Sequence, residues 1–289
     1  MTASPPLIFD RALVRARLAR AHAREAPDFL MRRAAEDLED RLAVIRRAFP
    51  RALDLATPTE HFAEVLATGG RPQPLRAATL LSSGAQIVVD EEALPFSPES
   101  FDLIVSGMAL QWVNDLPGVF AQVRRSLAPD GLFLACMAGG ASLMELRSAL
   151  TRAEDEILGG ASPRVSPFVD VRDLGGLLQR AGFALPVTDA DTFTLRYDSM
   201  FALCDELRAM GAANALTARS RKPLRRSVFL RAAQIYADNF SDPDGRMRAS
   251  FEIVWLSGWA PHESQQKPLK PGSAQVRLAD ALKAGHGDS

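Results

Sequence analysis

Hydrophobic and polar positions alternate most regularly between residues 101 and 140. Two apolar runs, at 101–105 and 132–137, have the length of buried strands. Strands that are apolar along their whole length are typical of a parallel sheet covered on both faces. Between them, five apolar residues spaced three and four apart form one face of a helix: Leu116, Val119, Phe120, Val123 and Leu127. This stretch predicts a β-α-β unit whose ligand side lies beyond the carboxyl ends of the strands.

The same patterns predict further elements on both sides of this unit. Upstream, we expect a helix within 30–49, a first strand at 51–56 and a helix at 60–67 that Thr59 caps. Downstream, the pattern predicts helices at 142–158, 171–181, 200–210 and 224–239, and strands at 185–197 and 248–259. The prediction is an α/β fold, a mostly parallel sheet with helices on both faces and a helical insertion before the last strand.

The segment between residues 75 and 89 departs from this regularity. Two apolar runs, at 75–81 and 86–89, are separated by only four residues. Parallel neighbours need a crossover of about a dozen residues. We therefore expect a hairpin or the loss of one strand, and a remodelled second and third strand region.

Composition narrows the classes of function. The chain has 289 residues, of which 47% are hydrophobic and 24% charged, as in ordinary folded proteins. A net charge of -1 gives no reason to expect nucleic acid or an anionic membrane as a partner. No apolar run approaches the roughly 20 residues that span a bilayer, and no signal-peptide core is visible. Because Cys136 and Cys204 form no metal or redox spacing, we expect a bacterial, cytoplasmic protein.

Motifs along nearly the entire chain resemble one family. The resemblance is to the methyltransferase-like complex I assembly factor of mitochondria and its alphaproteobacterial relatives. Its motifs are FDR (9–11), DEEALPF (90–96), WVNDLP (112–117), LAPDGLF (127–133), GGASLMELR (139–147), SPFVDVRDLGGLLQRAGF (166–183) and GWAPHESQQKPLKPGSA (258–274). The resemblance implies a Rossmann-like class I methyltransferase fold, S-adenosyl-L-methionine as cofactor and a respiratory complex I subunit as protein client. The malonyl-carrier-protein methyltransferase of biotin synthesis is a more distant relative.

The resemblance also implies a domain organisation. We expect an N-terminal helical extension at 1–45 and a methyltransferase-like domain at 46–262, with its helical insertion at about 198–243. A tail follows at 263–289, with a short helix near 276–282.

The loop after the first strand departs from the family pattern. Methyltransferases read D-L-G-x-G-x-G here, because glycine adopts positive φ and lets the backbone approach a ligand closely. This chain has Ala56, Pro58 and Glu60 at the three glycine positions. Proline lacks an N–H, and Glu60 places a negative charge where the methionine carboxylate would lie. These residues argue against ordinary cofactor binding.

Six residues are nevertheless candidate cofactor contacts. The resemblance implies that an acidic residue of the loop at 90–92 meets the adenine amine, while a surface acidic turn explains the same residues without a ligand. The loop at 107–112 would line the same pocket, with Gln111 where many relatives have histidine. The candidates are Asp54, Ala56, Asp90, Glu91, Met108 and Gln111.

The sequence leaves three main functions open. The first is a methyltransferase, either of a complex I client or similar to the malonyl-carrier-protein enzyme. The second is an inactive scaffold that binds a client subunit through Trp112, Trp259, Met108 and the HESQ segment. The third is a protein-arginine hydroxylase, as the mitochondrial relative is described. No catalytic residue is identified, and the four scattered histidines suggest no metal site: His22, His61, His262 and His286.

Overall fold

The computed structural model describes residues 7–24, 26–68, 72–80 and 85–265. Within these ranges one sheet has seven strands in the order β3-β2-β1-β4-β5-β7-β6. Its members pair in parallel except β7, which runs antiparallel to β5 and β6. The strands are β1 (Ala52–Leu55), β2 (Leu75–Ala78), β3 (Ile87–Val88), β4 (Phe101–Gly107), β5 (Leu127–Ala138), β6 (Ala184–Tyr197) and β7 (Met247–Trp259). The predicted α/β fold is confirmed.

Helices cover both faces of this sheet, because most of them present an apolar stripe to it. α4 and α6 pack on one face, α2 and α3 pack on the other, and α5, α7 and α8 form a third apolar cluster with the β6–β7 ribbon. The helices are α1 (Arg11–His22), α2 (Phe29–Ala43), α3 (His61–Ala67), α4 (Leu116–Ser126), α5 (Met144–Leu158), α6 (Val171–Arg180), α7 (Met200–Ala209) and α8 (Arg226–Phe240).

The connection between β2 and β3 corrects the sequence prediction. β3 is present and pairs with β2 in parallel, with Ala77 opposite Ile87 and Ala78 opposite Val88. The expected hairpin or missing strand is therefore wrong. Because β2 ends at Ala78 rather than at 81, the connection comprises residues 79–86 instead of four residues. Because β2 has four residues and β3 only two, the chain returns over a shorter distance than the usual crossover of about a dozen residues covers.

The N-terminal segment is tied to the insertion that α7 and α8 form between β6 and β7. Phe9 bridges to Leu216, and the backbone N–H of Asp10 donates to the carbonyl of Ala215 at 2.8 Å. Asp10 also caps α1 by accepting from the N–H of Leu13. These contacts place α1 across the carboxyl ends of the central strands.

No helix in the described ranges is long and apolar enough to cross a membrane. The proposed domain boundaries stay predictions. The helix expected near 276–282, and the part of the motif at 258–274 that follows Gln265, lie outside the described residues.

Candidate functional site

The first loop keeps the backbone path of a glycine-containing turn without the glycine. Ala56 has a φ of 61°, in the left-handed region that glycine favours, and its N–H donates to Ala77 O at 2.6 Å. The buried Thr57 hydroxyl accepts from the N–H of Gly107 at 3.0 Å, which joins the loop to the end of β4. Thr59 does not cap α3, because the helix begins after Glu60, which makes no side-chain capping bond. The predicted Thr59 cap is wrong.

Arg76 holds this loop from beneath. Its Nε lies 3.2 Å from Asp54 Oδ2, and both side chains are buried. The same guanidinium donates to the carbonyls of Thr57 and Thr59 and lies 3.5 Å from the Glu60 carboxylate. A side chain of the protein therefore fixes the loop that a bound cofactor contacts in a methyltransferase.

Asp54 lies under the loop, and burial dominates its titration. Desolvation raises the pKa of Asp54 to about 7, although hydrogen bonding from Thr57 and the charge of Arg76 act in the opposite direction. Asp54 does not line the cavity that the loop borders. Its contact with a cofactor stays a prediction, and in the structure its carboxylate contacts Arg76.

Arginines of α1 bind the two acidic candidates of the next loop. Arg11 pairs with Glu91, and Arg15 lies 2.6 Å from Asp90. Glu91 is only 2% exposed and also accepts from the hydroxyl of Thr79. Neither carboxylate lines the cavity beside the first loop. Both side chains therefore act as anchors for α1 rather than as free hydrogen-bond acceptors.

A cavity of about 500 Å³ lies between the first loop, α1, the start of α2 and the turn after β4. We call it the loop cavity. Its lining includes three of the candidates, Ala56, Met108 and Gln111. Among the described residues that line it, three are carboxylates and none is Lys or Arg: the acids are Asp28, Glu60 and Glu64. The described wall therefore carries more acidic than basic side chains. The role of the candidates in ligand binding stays a prediction.

His61 lies between two of these carboxylates. Its Nε2 is 2.9 Å from Asp28 Oδ2, and its Nδ1 is 3.3 Å from Glu64 Oε2. Burial opposes ionisation of Asp28, but hydrogen bonds from Arg32 and His61 prevail and lower the pKa of this carboxyl. The arrangement orients the imidazole on the cavity wall.

A second cavity of about 260 Å³ adjoins the first and is lined mainly by apolar side chains of α5, α7 and the strand ends. We call it the insertion cavity. Met108, Gln111 and Trp112 line both cavities. Gln111 Nε2 donates to the carbonyl of Met108 at 2.7 Å, whereas its buried Oε1 has no hydrogen-bond partner. Met108 itself has a φ of 49°.

The residues around the loop cavity do not fit S-adenosyl-L-methionine. Pro58 offers no N–H, and Glu60 lines the cavity with a carboxylate that would repel the cofactor's own carboxylate. The end of β2 contributes Ala78, Thr79 and Leu80 to the wall, without the acidic residue that accepts from ribose hydroxyls. The acids assigned to the adenine amine are bound by arginines. Three kinds of cofactor contact are thus missing or already paired: the contacts to its carboxylate, to its ribose hydroxyls and to its adenine amine.

Sequence reasoning missed Arg76, Asp28 and His61. One signal was available for Arg76, because it is a charged residue inside an apolar strand. β1 and β2 pair with Asp54 directly opposite Arg76, but this register depends on the tertiary structure. In the described part of the chain, no group of three or more His, Cys, Asp or Glu side chains is arranged to hold a metal ion.

Sequence comparisons identify related proteins. Residues 51–135 match the family described as methyltransferase domain. The chain is 39% identical over 268 residues to arginine-hydroxylase NDUFAF5, mitochondrial, of Danio rerio, covering 89% of this chain and 83% of the relative. Identity to the human protein of that name is also 39%, over 94% of this chain and 83% of the relative. A malonyl-[acyl-carrier protein] O-methyltransferase of a Methylovorus species is 32% identical over 98% of this chain and 96% of the relative.

Solved structures share the fold. A putative methyltransferase of Bacillus halodurans superposes with a TM-score of 0.52 at 14% identity, covering 78% of this chain and 98% of that one. The YcgJ protein of Bacillus subtilis gives a TM-score of 0.52 at 13% identity, covering 80% and 99%. At these identities the likeness supports the fold alone.

Proposed function

Because the chain belongs to the methyltransferase-domain family that includes the NDUFAF5 arginine-hydroxylases, we propose that it binds a protein client during maturation of NADH:quinone oxidoreductase. The link to this complex comes from the family resemblance of the motifs. The client group proposed to enter the loop cavity is an arginine side chain, in keeping with the printed name of the relatives. We further propose that the protein acts in the cytoplasm.

The observation that carries the proposal is the anionic wall of the loop cavity. Three carboxylates line it, and no Lys or Arg does so among the described residues. Asp28 also binds Arg32 and Glu60 lies 3.5 Å from Arg76, so a client group would share these carboxylates with arginines behind the wall. A guanidinium forms its strongest hydrogen bonds with carboxylates, so the wall complements an arginine side chain. The same wall is a poor partner for the carboxylate of S-adenosyl-L-methionine. The proposal therefore assigns client binding to this site and no methyl transfer from that cofactor.

Methyl transfer is the second candidate function. Two features support it. The strand order is that of a doubly wound nucleotide-binding sheet, and the left-handed φ of Ala56 follows the path of the glycine turn after its first strand. A malonyl-carrier-protein methyltransferase would use the same turn. The pairing of Asp90 and Glu91 with arginines weighs against both. Arginine hydroxylation is supported only by the printed name of the relatives. We assign no catalytic residue for it among the described residues.

The test is complementation in the source organism. Deletion of the gene is expected to lower the amount of assembled NADH:quinone oxidoreductase on native gels and the matching NADH oxidation by membranes. The wild-type gene should restore both, whereas a Glu60→Gln, Glu64→Gln double variant should restore them poorly. Glu39→Gln, an exposed change on α2 outside the cavity, is the matched control. Normal assembly in the deletion strain would refute the proposal.

A further inference from the structure

We propose that the two cavities form one socket for two neighbouring side chains of a client segment, a basic one in the loop cavity and a large apolar one in the insertion cavity. Gln111 lies at their junction and accepts a hydrogen bond from the basic group. This inference rests on the proposed function and adds a sequence preference to it.

The cavities are continuous along one wall. Six residues line both of them: Leu30, Met108, Gln111, Trp112, Met210 and Ala212. Side chains that enter the two cavities must therefore come from points close together on the bound segment. A single short peptide satisfies this condition, since side chains one to three residues apart leave an extended backbone at points about 3.5 to 11 Å apart.

The two cavities differ in chemistry. The loop cavity has three carboxylates, whereas the insertion cavity is lined mainly by Leu, Val, Phe and Met side chains. The arginines on the wall of the insertion cavity have acidic partners, Arg164 with Glu154 and Arg208 with Asp205. An apolar side chain that enters this space gains burial. Glu252, the one carboxylate among the described residues that line it, accepts from the N–H of Ala141 at 3.1 Å.

The orientation of Gln111 supplies an independent indication of a ligand. Its Nε2 is held by the carbonyl of Met108, so the amide is fixed with Oε1 as the remaining acceptor. Oε1 is buried and has no hydrogen-bond partner. Buried acceptors in folded proteins are almost always paired, and an unpaired one carries a desolvation cost. A guanidinium N–H at the junction would remove that cost once the amide turns enough to uncover Oε1, which has almost no accessible surface without a ligand.

The occupant we assign is a protein segment rather than a small metabolite. A small apolar ligand would fill the insertion cavity without using the carboxylates, and a small cation would leave the insertion cavity empty. A basic residue beside an apolar residue uses both cavities and the acceptor between them. The prediction is a motif with Arg or Lys next to, or within three residues of, Leu, Met or Phe.

The experiment uses the full-length protein and an array of immobilised nine-residue peptides. Each peptide has a glycine-serine background, one arginine, and one variable residue at each flanking position in turn. We expect binding to require the arginine and to increase about tenfold or more when a flanking residue is Leu, Met or Phe instead of Ser, the increase that about 1.4 kcal/mol of extra burial gives. Binding that is independent of arginine, or indifferent to the flanking residue, would overturn the inference.

Three variants assign the preferences to the cavities. Gln111→Leu should weaken arginine-peptide binding about tenfold, as expected for one charge-assisted hydrogen bond, and keep the preference for a flanking apolar residue. A purely structural role for Gln111 would remove the dependence on arginine and the apolar preference together. Cys204→Phe, on α7, should remove the apolar preference and keep the dependence on arginine. Val165→Phe, also on the insertion cavity wall, repeats the test if the first variant unfolds.

Val187→Phe, an exposed change on β6, is the matched control and should bind as wild type does. An unchanged apolar preference in a folded Cys204→Phe or Val165→Phe protein would contradict the role of the insertion cavity. The result also separates the two proposals. If complementation succeeds but the array shows no preference, the client function stands and the socket does not. If complementation fails, the proposed function itself is wrong.

Discussion

Asp54 on β1 and Arg76 on β2 lie directly opposite each other and are joined by a buried contact, with Arg76 Nε 3.2 Å from Asp54 Oδ2. The pair lies beneath the first loop, and Arg76 also donates to the carbonyls of Thr57 and Thr59. One guanidinium thus links two strands and the loop that follows the first of them. This contact makes the loop rigid without any bound ligand.

Replacing Arg76 should therefore be costly. Arg76→Ala leaves the buried carboxyl group of Asp54 and two loop carbonyls without their donor, so the free energy of unfolding should fall by about 3–5 kcal/mol. Urea unfolding followed by circular dichroism measures this. Arg51→Ala is the matched control, because the Arg51–Asp102 pair is largely exposed on the arginine side and should contribute about 1 kcal/mol or less. Equal losses of unfolding free energy in the two variants would contradict the stabilising role of Arg76.

The pKa of Asp54 predicts a pH dependence of stability. Burial raises the pKa of this carboxyl from 3.8 to about 7, so the folded state holds a proton that the unfolded state releases. The free energy of unfolding contributed by this group should therefore fall as pH rises from about 4 to about 7, and level off above it. Asp54→Asn should lack this decline. Unfolding of both proteins between pH 4.5 and about 8.5 tests the difference, and parallel pH profiles would refute it.

S-adenosylhomocysteine should give no heat of binding with the folded protein in calorimetric titration. The triple change Ala56→Gly, Pro58→Gly, Glu60→Gly should not restore binding, because the end of β2 still lacks an acidic residue and the acids at 90 and 91 remain paired with Arg11 and Arg15. A methyltransferase with an intact glycine loop is the positive control. Clear one-to-one binding by the wild-type chain would show that the cavity accepts the cofactor in an unorthodox way.

The two arginines of α1 should differ in their contribution to stability. Arg11→Ala leaves Glu91, which is 2% exposed, without its cation, and should lower the free energy of unfolding by about 3–5 kcal/mol. Arg15→Ala breaks a pair whose side chains are 38% and 43% exposed, and should cost about 1 kcal/mol or less. Thermal unfolding of both variants measures the contrast. A larger loss of unfolding free energy for Arg15→Ala than for Arg11→Ala would contradict the greater role of the buried Arg11–Glu91 pair.

Local sequence patterns predicted most elements, because their signals are local. The apolar spacing between residues 116 and 127 and the flanking runs located β4, α4 and the core of β5. The helical insertion between β6 and β7 also followed from periodicity. The connection between the second and third strands was predicted wrongly, because the chain length available for a crossover depends on where β2 ends, and only its pairing with β1 and β3 determines that point.

The sequence by itself determined the fold class and the loss of three glycines after β1, because these depend on residue type and short-range order. The tertiary structure decided which partners the acidic candidate residues have, namely arginines of α1 and β2. Asp54 and Arg76 are 22 positions apart, and Arg11 and Glu91 are 80 apart, so sequence spacing gives no sign of either pair. The two cavities and the orientation of Gln111 arise where α1, α7 and the strand ends converge. Such convergence is set by packing between distant segments, and one sequence does not encode it in any local pattern.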